Sequence, residues 1–466
     1  MISISSFAGQ TVGVFGLGRS GLSSALALKN SGVRVFAWDD NENSRKQALN
    51  ISLELVDLYK VDWNTIAALV LSPGIPLDHP EPHAIVRLAR HSGVEIIGDM
   101  ELLARSNPQA RVIGITGTNG KSTTTALIGH LLSSARHTAQ VGGNLGVPVL
   151  DLAPVDDAGS YVLEMSSYQL ALTHSLVFDI ALLLNLSADH LDRHGGMDGY
   201  IAAKKRIFAV QGSGHTAIVG IDDAFCQAVF EELKKVGQQR IIGVSGEKVV
   251  PGGVYVQAGV LFDDTEEGAA EAVLDLAQVA TLPGIHNAQN ACAAYAAVRA
   301  CGLEREDIIT GMKSFPGLAH RQELLAVIDG VAYVNDSKAT NGEAAARALA
   351  CYGDVYWIAG GRAKDGGVEA AQPYLDRVRH AYLIGEAAND FAHKLEREIP
   401  VTVSGELSSA VGEARANALA ETGVGAVVLL SPACASFDQF ENFESRGEAF
   451  RDLVDALPGA RREVGT

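Results

Sequence analysis

Cysteine is scarce in this chain and badly spaced for cross-linking. Its five cysteines, Cys226, Cys292, Cys301, Cys351 and Cys434, are scattered and show no C-x-x-C spacing. An odd, sparse set excludes a disulfide framework and a cysteine-based zinc site, and it suits a reducing compartment. No stretch approaches the ~18–20 apolar residues of a spanning helix, so membrane insertion is not expected. The opening residues MISISSFAGQ lack the basic segment and apolar run of a secretory signal. A cytoplasmic protein is expected. Positive charge is also short, with 37 Lys and Arg against 55 Asp and Glu, a formal net charge of −18. That balance argues against nucleic acid or an anionic membrane as partner, and an anionic small substrate would need cations gathered locally. What remains is a globular composition, 47% apolar and 20% charged over 466 residues, too long for one core. Two to three domains are expected.

The most informative stretch is Arg111–Thr125, RVIGITGTNGKSTTT. Its first five residues read as a buried strand, and Thr125–Leu132 reads as the body of a helix. Between them Gly117, Thr118, Asn119, Gly120, Lys121, Ser122 and Thr123 form a glycine-rich turn ending at a helix N-terminus. Backbone N–H groups in such a turn point inward and the helix dipole adds positive potential, which favours phosphate. Lys121 would reach the β- and γ-phosphates, and the Ser122 or Thr123 hydroxyl would face Mg²⁺. The common P-loop pattern has a glycine where this chain has Ile115, which points to a variant loop. The chain is expected to bind a nucleoside triphosphate.

Three segments alternate strand and helix. Residues 1–99 open with strand Thr11–Phe15, helix Leu22–Asn30 and strand Val33–Trp38, a βαβ unit. Gly16-Leu17-Gly18-Arg19-Ser20-Gly21 matches the dinucleotide fingerprint, with Asp39 where a ribose-binding acid would stand. The motif needs only a pyrophosphate near the backbone, so NAD and other nucleotide diphosphates both satisfy it. A further strand, Ala68–Leu71, runs into Ser72-Pro73-Gly74. Residues 100–317 carry the phosphate loop and strands Tyr161–Glu164 and Ile180–Leu184. Glu164 emerges beside the phosphate-loop strand, either as a Mg²⁺-holding acid or as an acid near a helix start. Asp189-His190-Leu191-Asp192-Arg193-His194 reads as a metal or phosphate cluster, or as solvated strand-end residues. Lys204 and Lys205, in the helical stretch Tyr200–Phe208, would ordinarily be exposed charges. An Ala-rich helix over Gly284–Arg299 and a linker at Ser314-Phe315-Pro316-Gly317 close the segment. Residues 318–466 alternate again, through strands Val331–Asn335, Val355–Ala359, Ala381–Ile384 and Ala426–Leu430 and helix Gly342–Ala350, with His320-Arg321, Lys338, Lys364 and Ser436 near strand ends.

With these residues in view, essentially the whole chain resembles the Mur ligases, ATP-dependent amide-forming enzymes of peptidoglycan precursor synthesis. TGTNGKST, Gly142-Gly143-Asn144-Leu145-Gly146, Asp189-His190, His286-Asn287 and Asp336-Ser337-Lys338-Ala339-Thr340 carry the likeness. Glu164–Leu170 (EMSSYQL) and Leu430–Gly447 (LSPACASFDQFENFESRG) resemble the branch that adds D-glutamate. Folylpolyglutamate synthetase shares the phosphate loop but should lack the second run.

The resemblance implies three α/β domains: a Rossmann-like UDP-binding domain, a central P-loop ATPase-type domain and a C-terminal Rossmann-like lid. It replaces NAD by the UDP part of the substrate, UDP-N-acetylmuramoyl-L-alanine, held by Gly18, Arg19, Ser20, Asp39, Ser72, Pro73, Gly74 and Asn144. It implies that Asn287, Asn290 and Asp336 hold adenosine between domains and that Arg321 reaches the γ-phosphate. Thr340, Lys364, Ser436 and Phe443 would hold the D-glutamate side chain, with His190 and Lys338 near the reacting end. Lys121, Glu164, His190, Lys204 and Lys338 would be catalytic. Two Mg²⁺ sites are implied, one at Ser122 and Glu164 and another at His190 and a carbamylated Lys204. Where some relatives read GGDGK, this chain reads Gly360-Gly361-Arg362-Ala363-Lys364, so Arg362 replaces an acid beside Lys364. A monomer acting on three small substrates is expected.

Overall fold

The structure, a computed structural model, describes residues 1–266, 268–279, 281–363 and 367–462. It contains three sheets in chain order, so the α/β expectation holds. The first sheet comprises β1 (Thr11–Phe15), β2 (Arg34–Trp38), β3 (Ala68–Leu71) and β4 (Glu95–Ile97), all parallel, in the order β2-β1-β3-β4. β1 and β3 read as near-continuous apolar runs because a parallel sheet is covered on both faces. The helix after β1 starts at Arg19, earlier than the expected Leu22, because Gly18 in extended backbone already serves as its N-cap. A Cβ at Gly21 would lie 1.8 Å from the Gly16 carbonyl oxygen, so the fingerprint's last glycine lets helix and strand touch.

The second sheet comprises β5 (Arg111–Thr116), β6 (Ala139–Gly143), β7 (Ser160–Glu164), β8 (Ile180–Leu183), β9 (Thr216–Gly220), β10 (Arg240–Ser245), β11 (Val254–Gln257), β12 (Val260–Asp263) and β13 (Glu271–Asp275). Their order is β13-β12-β11-β10-β9-β8-β5-β7-β6, parallel from β6 to β11 with an antiparallel β11-β12-β13 extension. The chain leaves β5 toward β6 and β7 on one side, then crosses to β8 on the other. The order reverses at β5, and the crevice beyond the C-terminal ends of β5, β7 and β8 is where such a sheet binds ligands.

The third sheet comprises β14 (Glu323–Ile328), β15 (Val331–Asn335), β16 (Val355–Gly360), β17 (Val378–Ile384), β18 (Val401–Gly405), β19 (Val427–Leu430) and β20 (Arg461–Arg462). Its order is β18-β17-β16-β19-β15-β14-β20, parallel from β18 to β15, with β14 antiparallel to both of its neighbours, β15 and β20. Trp357 is fully buried on β16, and its indole N–H donates to the Ser431 carbonyl at 2.7 Å.

The described residues divide into two compact units. One is Met1–Val279 with Ile285–Lys313, and the other runs from Ser314 onward with the short stretch before Ile285. Within the first unit Met100, Leu102 and Leu103 share one core cluster with Val12, Val14 and Leu163, so apolar packing runs from the first sheet to the second. Among the described residues no helix is long and apolar enough to cross a membrane.

Candidate active site at the phosphate loop

β5 delivers Thr116 to the sheet edge, and the chain turns through Gly117–Gly120 into the helix Lys121–Ser134. Gly120 has φ +80°, and a Cβ there would lie 2.2 Å from Asn290 Oδ1, so conformation and space both demand glycine. The loop is braced from below. Thr118 and Asn119 donate their N–H groups at 2.8 Å to the carbonyl and side chain of Asn185. Asn185 bonds Gln289, which bonds Asp222. Thr118 Oγ1 lies 3.1 Å from the Tyr200 hydroxyl; burial pushes that phenol up to about 12, which keeps its proton in place. Lys121 Nζ donates to the Gly117 and Thr118 carbonyls at 2.9 and 2.8 Å, and Ser122 is buried at the helix start. Asn290 sits beneath the loop, accepting from Thr124 Oγ1 at 3.3 Å and donating to Asn287 at 3.0 Å.

Glu164 ends β7 and is buried. Its Oε1 accepts from Asn144 Nδ2 at 2.7 Å, while Oε2 is buried with no hydrogen-bond partner. A buried carboxylate oxygen without a donor is costly, and a cation resolves that cost. With Ser122 nearby in the fold and phosphate oxygens supplied by substrate, this donor set suits Mg²⁺, which takes few protein ligands. Among the described residues no group of three His, Cys, Asp or Glu forms an all-protein metal cage.

Lys204 departs from what its helix predicts. The charged pair Lys204-Lys205 reads as solvated, yet Lys204 is only 2% exposed. The helix Met197–Lys205 buries the face of Tyr200, Ala203 and Lys204, and Lys205 turns outward to Glu232 at 2.6 Å. Lys204 Nζ donates to the Gly117 carbonyl at 2.8 Å and lies 4.8 Å from the Tyr200 ring centre. Burial, then the neighbouring Lys121 charge, pulls its ammonium down to about 7. His190 lies in left-handed backbone at φ +52°, with its ring about half exposed and 5.2 Å from the Tyr168 ring.

The fingerprint loop of the first sheet is tied by its own acid. Asp39 accepts from the Leu17 N–H at 2.6 Å and the Asn41 N–H at 2.7 Å. Ser72 Oγ donates to the Gly16 carbonyl at 2.6 Å, joining the two loops expected around the UDP part. Gly18 and Arg19 are exposed, and Arg19 donates to the Gly146 carbonyl. Arg193 Nη2 donates to the Gly74 carbonyl at 3.0 Å.

In the second unit Asp336 follows β15 and is buried, accepting from Ser431 Oγ at 2.7 Å and the Gln322 N–H at 3.1 Å. Burial raises its carboxyl to about 7, against the pull of those bonds and of Arg321. Folding therefore favours the protonated acid. The penalty is absent below the unfolded value near 4, grows through pH 4–7 and is complete above 7. Asp336→Asn is expected to raise the melting temperature at pH 8 by several degrees and to change it little at pH 4; thermal scans at both values check this. Lys338 Nζ lies 3.7 Å from the Phe443 ring centre, a cation–π contact. Thr340 is half-buried, and Ser436 is buried where its carbonyl starts a turn by accepting from Gln439 and Phe440. Lys364 lies outside the described residues. Arg362, the departure beside it, pairs with Glu386 through two bonds of 3.1 and 3.0 Å, which places its charge in a local ion pair.

Sequence reasoning passed over Arg446. It is 1% exposed and bonds Ser337 Oγ, the Ser337 carbonyl and the Cys434 carbonyl, fastening the Asp336–Thr340 loop to the Ser431–Ser436 loop. Its place in the FENFESRG run was the available signal. Tyr168 and Tyr200 lie in helices, where an aromatic side chain ordinarily signals core and gives no separate sign of a site.

Comparison with known proteins fits this geometry. The Mur ligase middle domain matches residues 115–298, and the Mur ligase MurD-like N-terminal domain matches residues 10–98. The chain belongs to the Mur ligase family. It is 52% identical over 463 residues to the UDP-N-acetylmuramoylalanine--D-glutamate ligase of Caulobacter vibrioides strain NA1000, covering 98% of each chain. It is 50% identical over 475 residues to the protein of that name from Rhodospirillum rubrum, covering 99% of each. Among solved structures it resembles the UDP-N-acetylmuramate-alanine ligase MurC of Thermotoga maritima, with TM-score 0.57 and 14% identity over 96% of this chain and 99% of that one. That last likeness is one of fold.

Proposed function

We infer that this Mur ligase joins D-glutamate to UDP-N-acetylmuramoyl-L-alanine, converting ATP to ADP and phosphate, as a step of peptidoglycan precursor synthesis. The observation that carries this is near-full-length identity of 52% to a ligase bearing that name. The chemistry follows from the substrates. A carboxylate is a poor electrophile toward an amine, so its oxygen attacks the γ-phosphorus of ATP and ADP leaves. The D-glutamate amine then attacks the acyl phosphate, and the tetrahedral intermediate expels phosphate.

Lys121 is assigned to the β- and γ-phosphates, with Gly117, Thr118, Asn119, Gly120, Ser122 and Thr123 lining the phosphate cradle. The unpartnered oxygen of Glu164 supports Mg²⁺ beside Ser122, where it would offset charge on the transferring phosphoryl group. Lys204 supports a second site near His190 only as a carbamate, since an ammonium repels a divalent ion. Its lowered affinity for a proton leaves free amine near neutral pH. That nitrogen can attack CO₂, forming an N–C bond and releasing one proton. Gly18, Arg19, Ser20, Asp39, Ser72, Pro73, Gly74 and Asn144 are assigned to the UDP substrate. Asn287 and Asn290, and separately Arg321 and Asp336, are assigned to ATP. Thr340, Lys364, Ser436 and Phe443 are assigned to D-glutamate, with Lys338 near its reacting end. Divisions near residues 99 and 317, a cytoplasmic monomer and no nucleic-acid partner complete the reading.

The deciding experiment measures phosphate release from ATP with the UDP-muramoyl substrate and each amino acid in turn. Release with D-glutamate alone supports the assignment, and equal release with other amino acids defeats it. Lys364→Ala is expected to raise the KM for D-glutamate by about tenfold or more while leaving those for ATP and the UDP substrate near their original values. Equal effects on all three would move the amino-acid site elsewhere.

A further inference from the structure

Arg193 belongs to the short helix Leu191–His194 in the loop after β8, yet it reaches the loop that follows β3 of the first sheet. Its Nη2 donates to the Gly74 carbonyl at 3.0 Å, and its guanidinium carbon lies 4.8 Å from the Tyr168 ring centre. Tyr168 in turn meets the His190 ring at 5.2 Å and stacks on the His194 ring at 5.3 Å, with planes 11° apart. His194 is anchored by its Nε2 to Ser167 Oγ at 2.9 Å. One side chain therefore touches the loop assigned to the UDP end of the substrate and the ring that contacts His190 at the reacting end. A cavity of about 230 Å³, lined in part by Pro73, Tyr168, Arg193 and His194, opens among these elements.

The nucleotide and the reacting carboxylate are joined by rotatable covalent bonds that limit their separation, so the protein must hold its two contact regions within that reach and select one spacing. Arg193 is built for that task. Its planar fork bonds the carbonyl in one direction while its face covers an aromatic ring. Its Nε is buried with no hydrogen-bond partner. A side chain serving stability alone would gain by removing that stranded donor. We propose that Arg193 is a positioning residue, setting the spacing between the Ser72–Gly74 loop and His190 and thereby placing the substrate's carboxylate for phosphorylation. This rests on the assignment of those two elements made above.

The test uses Arg193→Met and Arg193→Lys in the full chain, with each substrate varied and binding of UDP alone followed by calorimetry. Misplacement by about 1 Å costs ~10²-fold, so Arg193→Met should lose about that much kcat, with the ATP KM and UDP affinity within about threefold of wild type. Lysine keeps a donor for Gly74 and a cation over Tyr168, so Arg193→Lys should regain about tenfold of the loss. Wild-type kcat in Arg193→Met overturns the proposal, as does a loss that appears only in the ATP KM. If the methionine variant does not fold, the lysine variant decides alone, by a lowered kcat at unchanged UDP affinity or by no change. UDP that fails to bind the wild-type protein would instead defeat the assignment of the Ser72–Gly74 loop, before any variant is made.

Discussion

Lys121→Ala is expected to lower kcat by at least about 10²–10³-fold, because on the assignment proposed above the transferring phosphoryl group loses a fixed cation. The loss should fall on kcat more than on the KM for ATP. Backbone N–H groups of the loop bind ground-state phosphate, whereas the lysine acts most strongly on charge that shifts in the transition state. Stability should change little. Lys121 Nζ is bonded to the Gly117 and Thr118 carbonyls, but Lys204 also donates to Gly117, and Thr118 and Asn119 remain braced by Asn185. A variant with unchanged melting temperature and near-original ligation would remove the phosphate loop from the mechanism.

The phosphate loop was legible because its physics is local. A strand, two glycines, a lysine and a helix start are contiguous in the chain, and backbone geometry alone makes the anion site. The βαβ unit of the first sheet was legible for the same reason, down to the turn at Gly16–Gly21, whereas the three-residue β4 was not. Glu164 was found from its strand end, but not its state: Asn144 holds one oxygen while the other is stranded, a fact produced by packing of β6 against β7. Lys204 shows the limit more sharply. Two adjacent lysines on one helix read as a solvated pair, and nothing in their spacing says which one turns inward. Burial is decided by the neighbouring helix and by the loop carbonyl it meets. The family resemblance implied a role for Lys204, and the structure shows its burial against the phosphate loop. Arg446 stayed hidden, and Arg193 was visible only as one member of the Asp189–His194 cluster, because each joins loops that are distant in sequence, through contacts that carry no periodic signal. The same holds for β12 and β13, short half-buried strands that extend the central sheet without a motif.

Lys204→Ala is expected to be inactive, and a short carboxylic acid such as formate or acetate should restore part of the rate. Two opposite charges are at stake. As an ammonium, the buried side chain is unwelcome: its affinity for a proton falls from near 10.5 in the unfolded chain to about 7 in the fold. The unfolded chain binds the extra proton between those values, so the penalty is full below pH 7, is relieved as pH rises through 7–10 and is gone above that. Lys204→Met should therefore melt higher than the wild-type protein at pH 6.5, by a margin that shrinks toward pH 10. As a carbamate, the same residue would be an anion beside Lys121 and the phosphate loop, a sign suited to a divalent ion. A stabilised but dead Lys204→Met, an alanine variant revived by carboxylate, and a wild-type rate that falls when CO₂ is removed and recovers with bicarbonate would agree on one account. Full activity in the alanine variant, or a wild-type rate indifferent to CO₂ together with an unmodified Lys204 by mass spectrometry, would leave the lysine a structural role through its contacts with Thr116, Gly117 and Tyr200.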